Sequence, residues 1–198
     1  MIVVVDYKAG NLASVMKALV AVGADAVSTS DPEMVRGAER IILPGVGHFQ
    51  ATDFLCQYGL KEAIGERAAA GVPFLGICVG LQWLFQGSTE APGVAGLGIF
   101  DGLCDRFEPG QKVPHVGWNS LAVKENSRLL ASLADGTFVY FTHSYRAPVS
   151  HATVAVTEYG GPFAAAVEDG NVMGVQFHPE KSGAAGLRIL RNFVELPC

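Results

Sequence analysis

The stretch Val72-Pro73-Phe74-Leu75-Gly76-Ile77-Cys78-Val79-Gly80-Leu81-Gln82-Trp83-Leu84-Phe85 decides how the rest of the chain is read. An apolar run enters Gly76-Ile77-Cys78-Val79-Gly80, and an amphipathic stretch from Leu81 to Phe85 leaves it. A buried strand, a tight turn with a thiol between two glycines, then a helix is the plan of a nucleophile elbow. Such a turn brings backbone segments together, and glycine has no Cβ to clash there. At its tip Cys78 is expected at a helix N-terminus, where the positive end of the dipole favours a thiolate. Taken alone, the pattern reads as readily as a buried structural cysteine among packing glycines.

Outward from this stretch the chain alternates strand and helix. Ile2–Val5 is an apolar β-branched run, the mark of a strand buried on both faces. Leu12, Val15, Met16, Leu19 and Val20 recur at helical spacing, and Gly23 suits the helix end. Residues 26–29 read as a second strand. Asp31 and Pro32 read as the N-cap and first residue of a short helix. Residues 40–43 read as a third strand, running into the loop Pro44-Gly45-Val46-Gly47-His48-Phe49. Helical patterns follow over 50–57 and 60–70. This order predicts a doubly wound, mostly parallel sheet flanked by helices, of flavodoxin-like kind.

The second half reads as short strand-like pieces at 99–100, 116–121, 138–141, 153–156, 163–167 and 172–176, the later part enriched in antiparallel strands. Hairpin turns such as Tyr159-Gly160-Gly161-Pro162 separate some of them. A helix over 184–194 closes the chain. No repeat, linker or low-complexity tract interrupts it, so residues 1–198 read as one domain.

Composition narrows the function. Hydrophobic residues make up 49% and charged residues 17%, with a formal net charge of −5. With no basic block, nucleic-acid binding is not expected. The N-terminus lacks a basic n-region and a signal-length apolar core, and no run approaches the roughly 20 apolar residues of a membrane span. Cys56, Cys78, Cys104 and Cys198 lie far apart with no CxxC spacing. They read as reduced thiols of a cytoplasmic protein, with no metal site and no cofactor implied.

A nucleophilic cysteine needs a base, and the base an orienter. His178 lies in Val175-Gln176-Phe177-His178-Pro179-Glu180, just past a strand, at the end where open α/β sheets place their sites. Pro179 favours an extended His178, and in an extended segment residues i and i+2 face one side, so Glu180 is expected to hold the imidazole. The Val79 N–H, next to the nucleophile, is one oxyanion donor by elbow geometry. The Pro44-Gly45-Val46-Gly47 loop is placed to supply the other, and no G-K-[ST] follows to make it a P-loop. Gln82, four residues beyond Cys78, shares its helix face.

Together these residues resemble the class I, triad-type glutamine amidotransferases. The carriers are Gly76–Gln82, Phe177-His178-Pro179-Glu180 and Pro44-Gly45-Val46-Gly47. More narrowly, the chain is similar to the glutaminase subunits of imidazole glycerol phosphate synthase, in histidine biosynthesis. That likeness rests on Asp6-Tyr7, Gly10-Asn11-Leu12, Pro44–Phe49, Pro114–Asn119, His143–Ala147 and Gln176–Ser182. Val79 and Leu81 stand where the family usually has Leu and Met, and Lys8 where many members have Gly.

The resemblance implies that Cys78 attacks the side-chain amide of glutamine, His178 shuttles the proton and Glu180 completes the triad. Val46 and Val79 would form the oxyanion hole. Gly47, Gln82, Ser144 and Tyr145 would hold the substrate. It implies a separate (β/α)8-barrel cyclase subunit as heterodimeric partner, fed with ammonia through an interface channel, with Asn11, Trp118, Tyr140 and Lys181 as interface candidates. Two other readings stand beside this one: an amidotransferase subunit for another acceptor, and a non-catalytic binding module.

Overall fold

The computed structural model describes residues 1–124 and 126–197. The elements are β1 Ile2–Val5, α1 Leu12–Ala21, β2 Ala26–Thr29, α2 Pro32–Arg36, β3 Arg40–Gly45, α3 Asp53–Gln57, α4 Leu60–Ala69, β4 Phe74–Cys78 and α5 Val79–Trp83. There follow β5 Phe85–Ser88, β6 Phe100–Arg106, β7 His115–Ser120, β8 Ala122–Val123, β9 Phe138–His143, β10 Tyr145–Arg146, β11 Thr153–Glu158, β12 Pro162–Asp169, β13 Val172–Val175 and α6 Gly183–Val194.

The main sheet has eight strands in the order β2-β1-β3-β4-β13-β12-β11-β8. Its first five strands are parallel, and β12, β11 and β8 join antiparallel. This is the expected mostly parallel sheet with an antiparallel extension. Every residue of β1, β4 and β13 is buried, as strands covered on both faces must be. Two smaller sheets flank it: β10-β6-β5, and the two-stranded ribbon β7-β9.

Several local readings hold. The Asp31 carboxylate accepts from the Glu33 N–H, with Pro32 in the first turn of α2. Lys8 takes φ 65°, a conformation glycine adopts freely, and its N–H donates to the Asp6 side chain at 2.9 Å. Others need correction. The third strand does not stop at Leu43 but runs through Pro44 and Gly45, because Gly45 pairs in register with Cys78. Residues 49–52 form a 3₁₀ turn before α3. Phe85, expected to continue the elbow helix, instead begins β5, and the strand expected at 99–100 extends to Arg106.

The topology places the site. β4 lies between β3 and β13, and all three run the same way. The loop after β3, the elbow after β4 and the turn after β13 therefore emerge together at one edge. Cys56, Cys78 and Cys104 are free thiols, and Cys198 lies outside the described residues.

Candidate active site

Cys78 ends β4 with φ 55° and ψ −106°. A side-chain-bearing residue is held in this region only when its surroundings over-determine it. The flanking glycines are the cause here. A Cβ on Gly76 would lie 2.4 Å from the Gly80 carbonyl oxygen, and one on Gly80 would lie 1.9 Å from the Leu43 carbonyl oxygen. The turn is pressed against its own strand and against β3 so tightly that no larger residue fits. Helix α5 beyond it has only five residues.

His178 follows β13 and is itself extended, with φ −101° and ψ 97°. Its Nδ1 lies 2.8 Å from Glu180 Oε1, and both side chains are 1% exposed. The geometry differs from the expected extended run: Pro179–Lys181 is a 3₁₀ turn, and Glu180 reaches back across it. This turn is stitched to β9. The His178 N–H donates to the Tyr140 carbonyl at 2.9 Å. The Ser182 hydroxyl donates to the His178 carbonyl at 2.7 Å and accepts from the Tyr140 N–H at 3.0 Å.

Burial opposes a charge on His178, but the attraction of Cys78 and Glu180 outweighs it and pushes the imidazole up to about 10. No hydrogen bond to His178 Nε2 is formed in this resting geometry. The Cys78 Sγ lies 3.7 Å from Gln176 Nε2 and 4.0 Å from the Thr142 carbonyl oxygen.

Cys78 opens into a cavity of about 240 Å³. Val46, Gly47, Val79, Gln82, Ser144 and Tyr145, singled out in the sequence, all line it. Gly47 holds φ +95°, which leaves its loop free of side-chain restraint. Gln82 Nε2 donates to the Tyr145 carbonyl at 2.8 Å and lies 3.2 Å from Gln176 Oε1.

Four further groups were not legible as site residues. Glu90 lines the cavity, and one of its carboxylate oxygens accepts from the Phe49 N–H at 2.8 Å. Nothing in Ser88-Thr89-Glu90-Ala91 marks it, since its position depends on β5. Gln176 reads in the sequence as a strand residue and as part of the block Gln176–Ser182, with no role of its own. His143, also on the cavity wall, pairs with His115. Tyr7 is buried, and its hydroxyl lies 2.4 Å from where a Gly45 Cβ would stand. Burial, and then the charge of Cys78, push its phenol up.

The four interface candidates fall into two places. Trp118 and Tyr140 face each other across the β7-β9 ribbon, with ring centroids 6.0 Å apart. Lys181 Nζ lies 5.9 Å over the Tyr140 ring. Asn11 caps α1 without a side-chain hydrogen bond.

A thiol on a strained strand–helix elbow, beside a carboxylate-held imidazole at the open edge of a parallel sheet, defines a class of α/β proteins built for acyl transfer. The glutamine amidotransferase class-I model matches residues 3–196, and the chain belongs to that family. Within it, the chain is 49% identical over 197 residues to imidazole glycerol phosphate synthase subunit HisH of Methanothermobacter thermautotrophicus, covering 99% of this chain and 98% of that one. It is 48% identical to the subunit of the same name in Thermococcus kodakarensis, covering 99% and 100%. Among solved structures it resembles a glutamine amidotransferase at TM-score 0.77 and 22% identity, covering 98% of this chain and 97% of that one. It also resembles PurLQS from Thermotoga maritima at TM-score 0.74 and 22% identity, covering 97% and 96%. Among the described residues no helix is long and apolar enough to cross a membrane.

Proposed function

We propose that this chain is the glutaminase subunit of an imidazole glycerol phosphate synthase. Its whole length acts as one amidotransferase domain that releases ammonia from glutamine for a separate cyclase. The observation that carries the chemistry is the His178–Glu180 pair, with the open Nε2 of His178 next to a thiol on a strained elbow.

The mechanism follows from the groups present. The glutamine side-chain amide enters the cavity with its α-ammonium toward Glu90 and its chain held by Gly47, Gln82, Ser144 and Tyr145. Cys78 Sγ attacks the amide carbon, and the proton rests on His178 Nε2. The tetrahedral oxyanion takes hydrogen bonds from the Val79 and Val46 N–H groups. His178 protonates the leaving nitrogen, and ammonia departs to leave a γ-glutamyl thioester. Water, deprotonated by His178, then releases glutamate. Glu180 holds Nδ1 so that Nε2 is always the nitrogen presented to the reacting atoms.

Ammonia passes to a (β/α)8-barrel cyclase subunit that forms imidazole glycerol phosphate and an aminoimidazole carboxamide ribotide. The exposed face of the β7-β9 ribbon favours that docking surface. Val116, Trp118 and Phe138 are 55–58% exposed there, Tyr140 and Lys181 adjoin them, and aromatic area of this kind is enriched at interfaces. The Ser182 and His178 bonds to Tyr140 give a contact on the ribbon a direct route to the catalytic turn.

Cys78→Ala in the complex is expected to abolish glutamine-dependent synthesis and to leave ammonia-dependent synthesis intact. Loss of both would move the site elsewhere. Glutamate release by the free chain as fast as in the complex would remove the coupling to a partner.

A further inference from the structure

We infer that His115 and His143 are neutral imidazoles, each protonated at Nδ1, in a hydrogen-bonded relay. The relay fixes the Tyr145 carbonyl and, through it, sets the Gln82 and Gln176 amides against Cys78.

The polarity of the relay follows from one atom that can only accept. The Tyr145 carbonyl oxygen lies 2.8 Å from His143 Nδ1 and 2.8 Å from Gln82 Nε2. His143 Nδ1 therefore carries a proton, and in a neutral ring its Nε2 is bare. That bare nitrogen is 3.1 Å from His115 Nδ1, which must donate to it. His115 Nε2 is then bare in turn and faces Asn119 Nδ2 at 3.4 Å, an amide that also donates to the Glu158 carbonyl at 3.0 Å. A doubly protonated His143 would need His115 to accept at Nδ1 and carry its proton on Nε2, against the Asn119 NH2, whose orientation is fixed by its bond to the Glu158 carbonyl and by the Ser120 N–H donating to its oxygen at 2.8 Å.

The surroundings favour neutrality. Burial pushes His115 down to about 4 and His143 to about 3. The Tyr145 carbonyl partly opposes this at His143, while the positive charges of His178 and Arg146 add to it. The rings packed around the pair are apolar or neutral: Phe107, Phe141, Tyr159 and Phe163. Among the described residues no carboxylate is hydrogen-bonded to either imidazole.

A second arm leaves the same carbonyl. The other proton of Gln82 Nε2 goes to Gln176 Oε1 at 3.2 Å, which turns Gln176 Nε2 toward Cys78 Sγ at 3.7 Å. The amide oxygen of Gln82 is left as an acceptor in the cavity this residue lines. With the Tyr145 carbonyl displaced, either amide can flip, and a flipped Gln176 would set a carbonyl oxygen against the thiolate. His115 and His143 are thus positioning residues for a nucleophile that neither of them touches.

The tautomers are read directly from long-range ¹H–¹⁵N spectra of the full chain labelled in histidine and held at pH 7. His143→Asn identifies the His143 signals. Both rings are expected to show Nδ1 in the protonated range and Nε2 in the bare range. A ring protonated at Nε2, or at both nitrogens, overturns the relay. The kinetic consequence rests on the glutaminase reading. Asn at 143 keeps a donor near the Nδ1 position, whereas Leu does not. His143→Leu is expected to raise KM for glutamine about tenfold, in the range of one lost buried hydrogen bond, with His143→Asn restoring most of it. Equal KM values for wild type and a folded Leu variant overturn the positioning role. The KM values are measured with the cyclase present; if the wild-type complex releases no glutamate at all, the glutaminase reading fails, while the spectra still decide the tautomers.

Discussion

Two pairs of buried groups, each built around histidine, behave oppositely. In His178–Glu180 the imidazole meets a carboxylate at 2.8 Å, and against burial Cys78 and Glu180 push it up to about 10. In His115–His143 the imidazole meets another imidazole at 3.1 Å, and both are pushed down. Burial acts in the same direction on all three rings, against charge. Partner chemistry alone reverses the outcome. A ring that must accept a proton in a dry pocket needs a fixed negative charge behind it. A ring that must only hold a carbonyl in place needs to stay neutral.

The sharpest way to break this contrast is to take the charge from the first pair without changing its shape. Glu180→Gln keeps the volume and a polar atom near Nδ1, but it no longer requires an N–H there. The wrong tautomer becomes available, and a neutral side chain no longer stabilises the imidazolium. In serine-hydrolase triads the comparable change costs about 10⁴ in kcat, and a loss of roughly 10³–10⁴ is expected here with KM little altered. Steady-state glutamate release with the cyclase present measures it. A loss of less than tenfold would mean that Glu180 merely packs, and the two histidine pairs would then differ in burial alone.

The second pair sits on a ribbon with two different faces. Alternation along β9 buries Val139, Phe141 and His143 and turns Tyr140 outward. Trp118 on β7 stands opposite Tyr140 and is 55% exposed. Trp118→Ala is expected to weaken cyclase binding about 30-fold, the effect of losing an aromatic anchor worth roughly 2 kcal/mol, and to leave the histidine tautomers unchanged. Titration calorimetry checks the first outcome and the histidine spectra the second. Unchanged affinity would take the ribbon out of the interface.

How much of this was legible from the chain depends on how local each feature is. The elbow is local: Gly76, Cys78 and Gly80 are close in sequence, and their spacing reflects contacts within one turn and with the adjacent strand. The buried strands announce themselves by composition. Glu180 was found for a partly wrong reason, since it reaches His178 across a 3₁₀ turn and not along an extended run. Glu90 and the His115–His143 pair stayed hidden because strand pairing alone brings them in. His115 and His143 become neighbours through the β7-β9 register, a long-range fact that no short window contains. Strand β5 was missed because Phe85 completes the helical spacing begun at Leu81, while its strand character comes from pairing with β6 and a bridge from Gly87 to Ala95.

The contrast between the pairs also sets opposite limits on stability, and this is the smallest of the expected effects. An unfolded histidine titrates near 6.5. His115 and His143 are pushed below that value, so as pH falls from about 6.5 the unfolded chain takes up protons that the folded chain refuses. Their contribution is full above 6.5 and is lost toward acid. His178 is pushed above it, so between about 6.5 and 10 the folded chain keeps a proton that the unfolded chain releases. Its contribution is full below 6.5 and is lost toward alkali. The three histidines together therefore favour neutral pH, with one shoulder on the acid side and another on the alkaline side. Urea unfolding at pH 5, 7 and 9 separates the two limbs. His143→Asn should flatten only the acid side, because it removes a ring that refuses a proton. Cys78→Ala should flatten only the alkaline side, because it removes one of the two groups that raise His178. If both variants flattened the same limb, the two pairs would be titrating as one network, and the fixed neutrality of His115 and His143 would have to be given up.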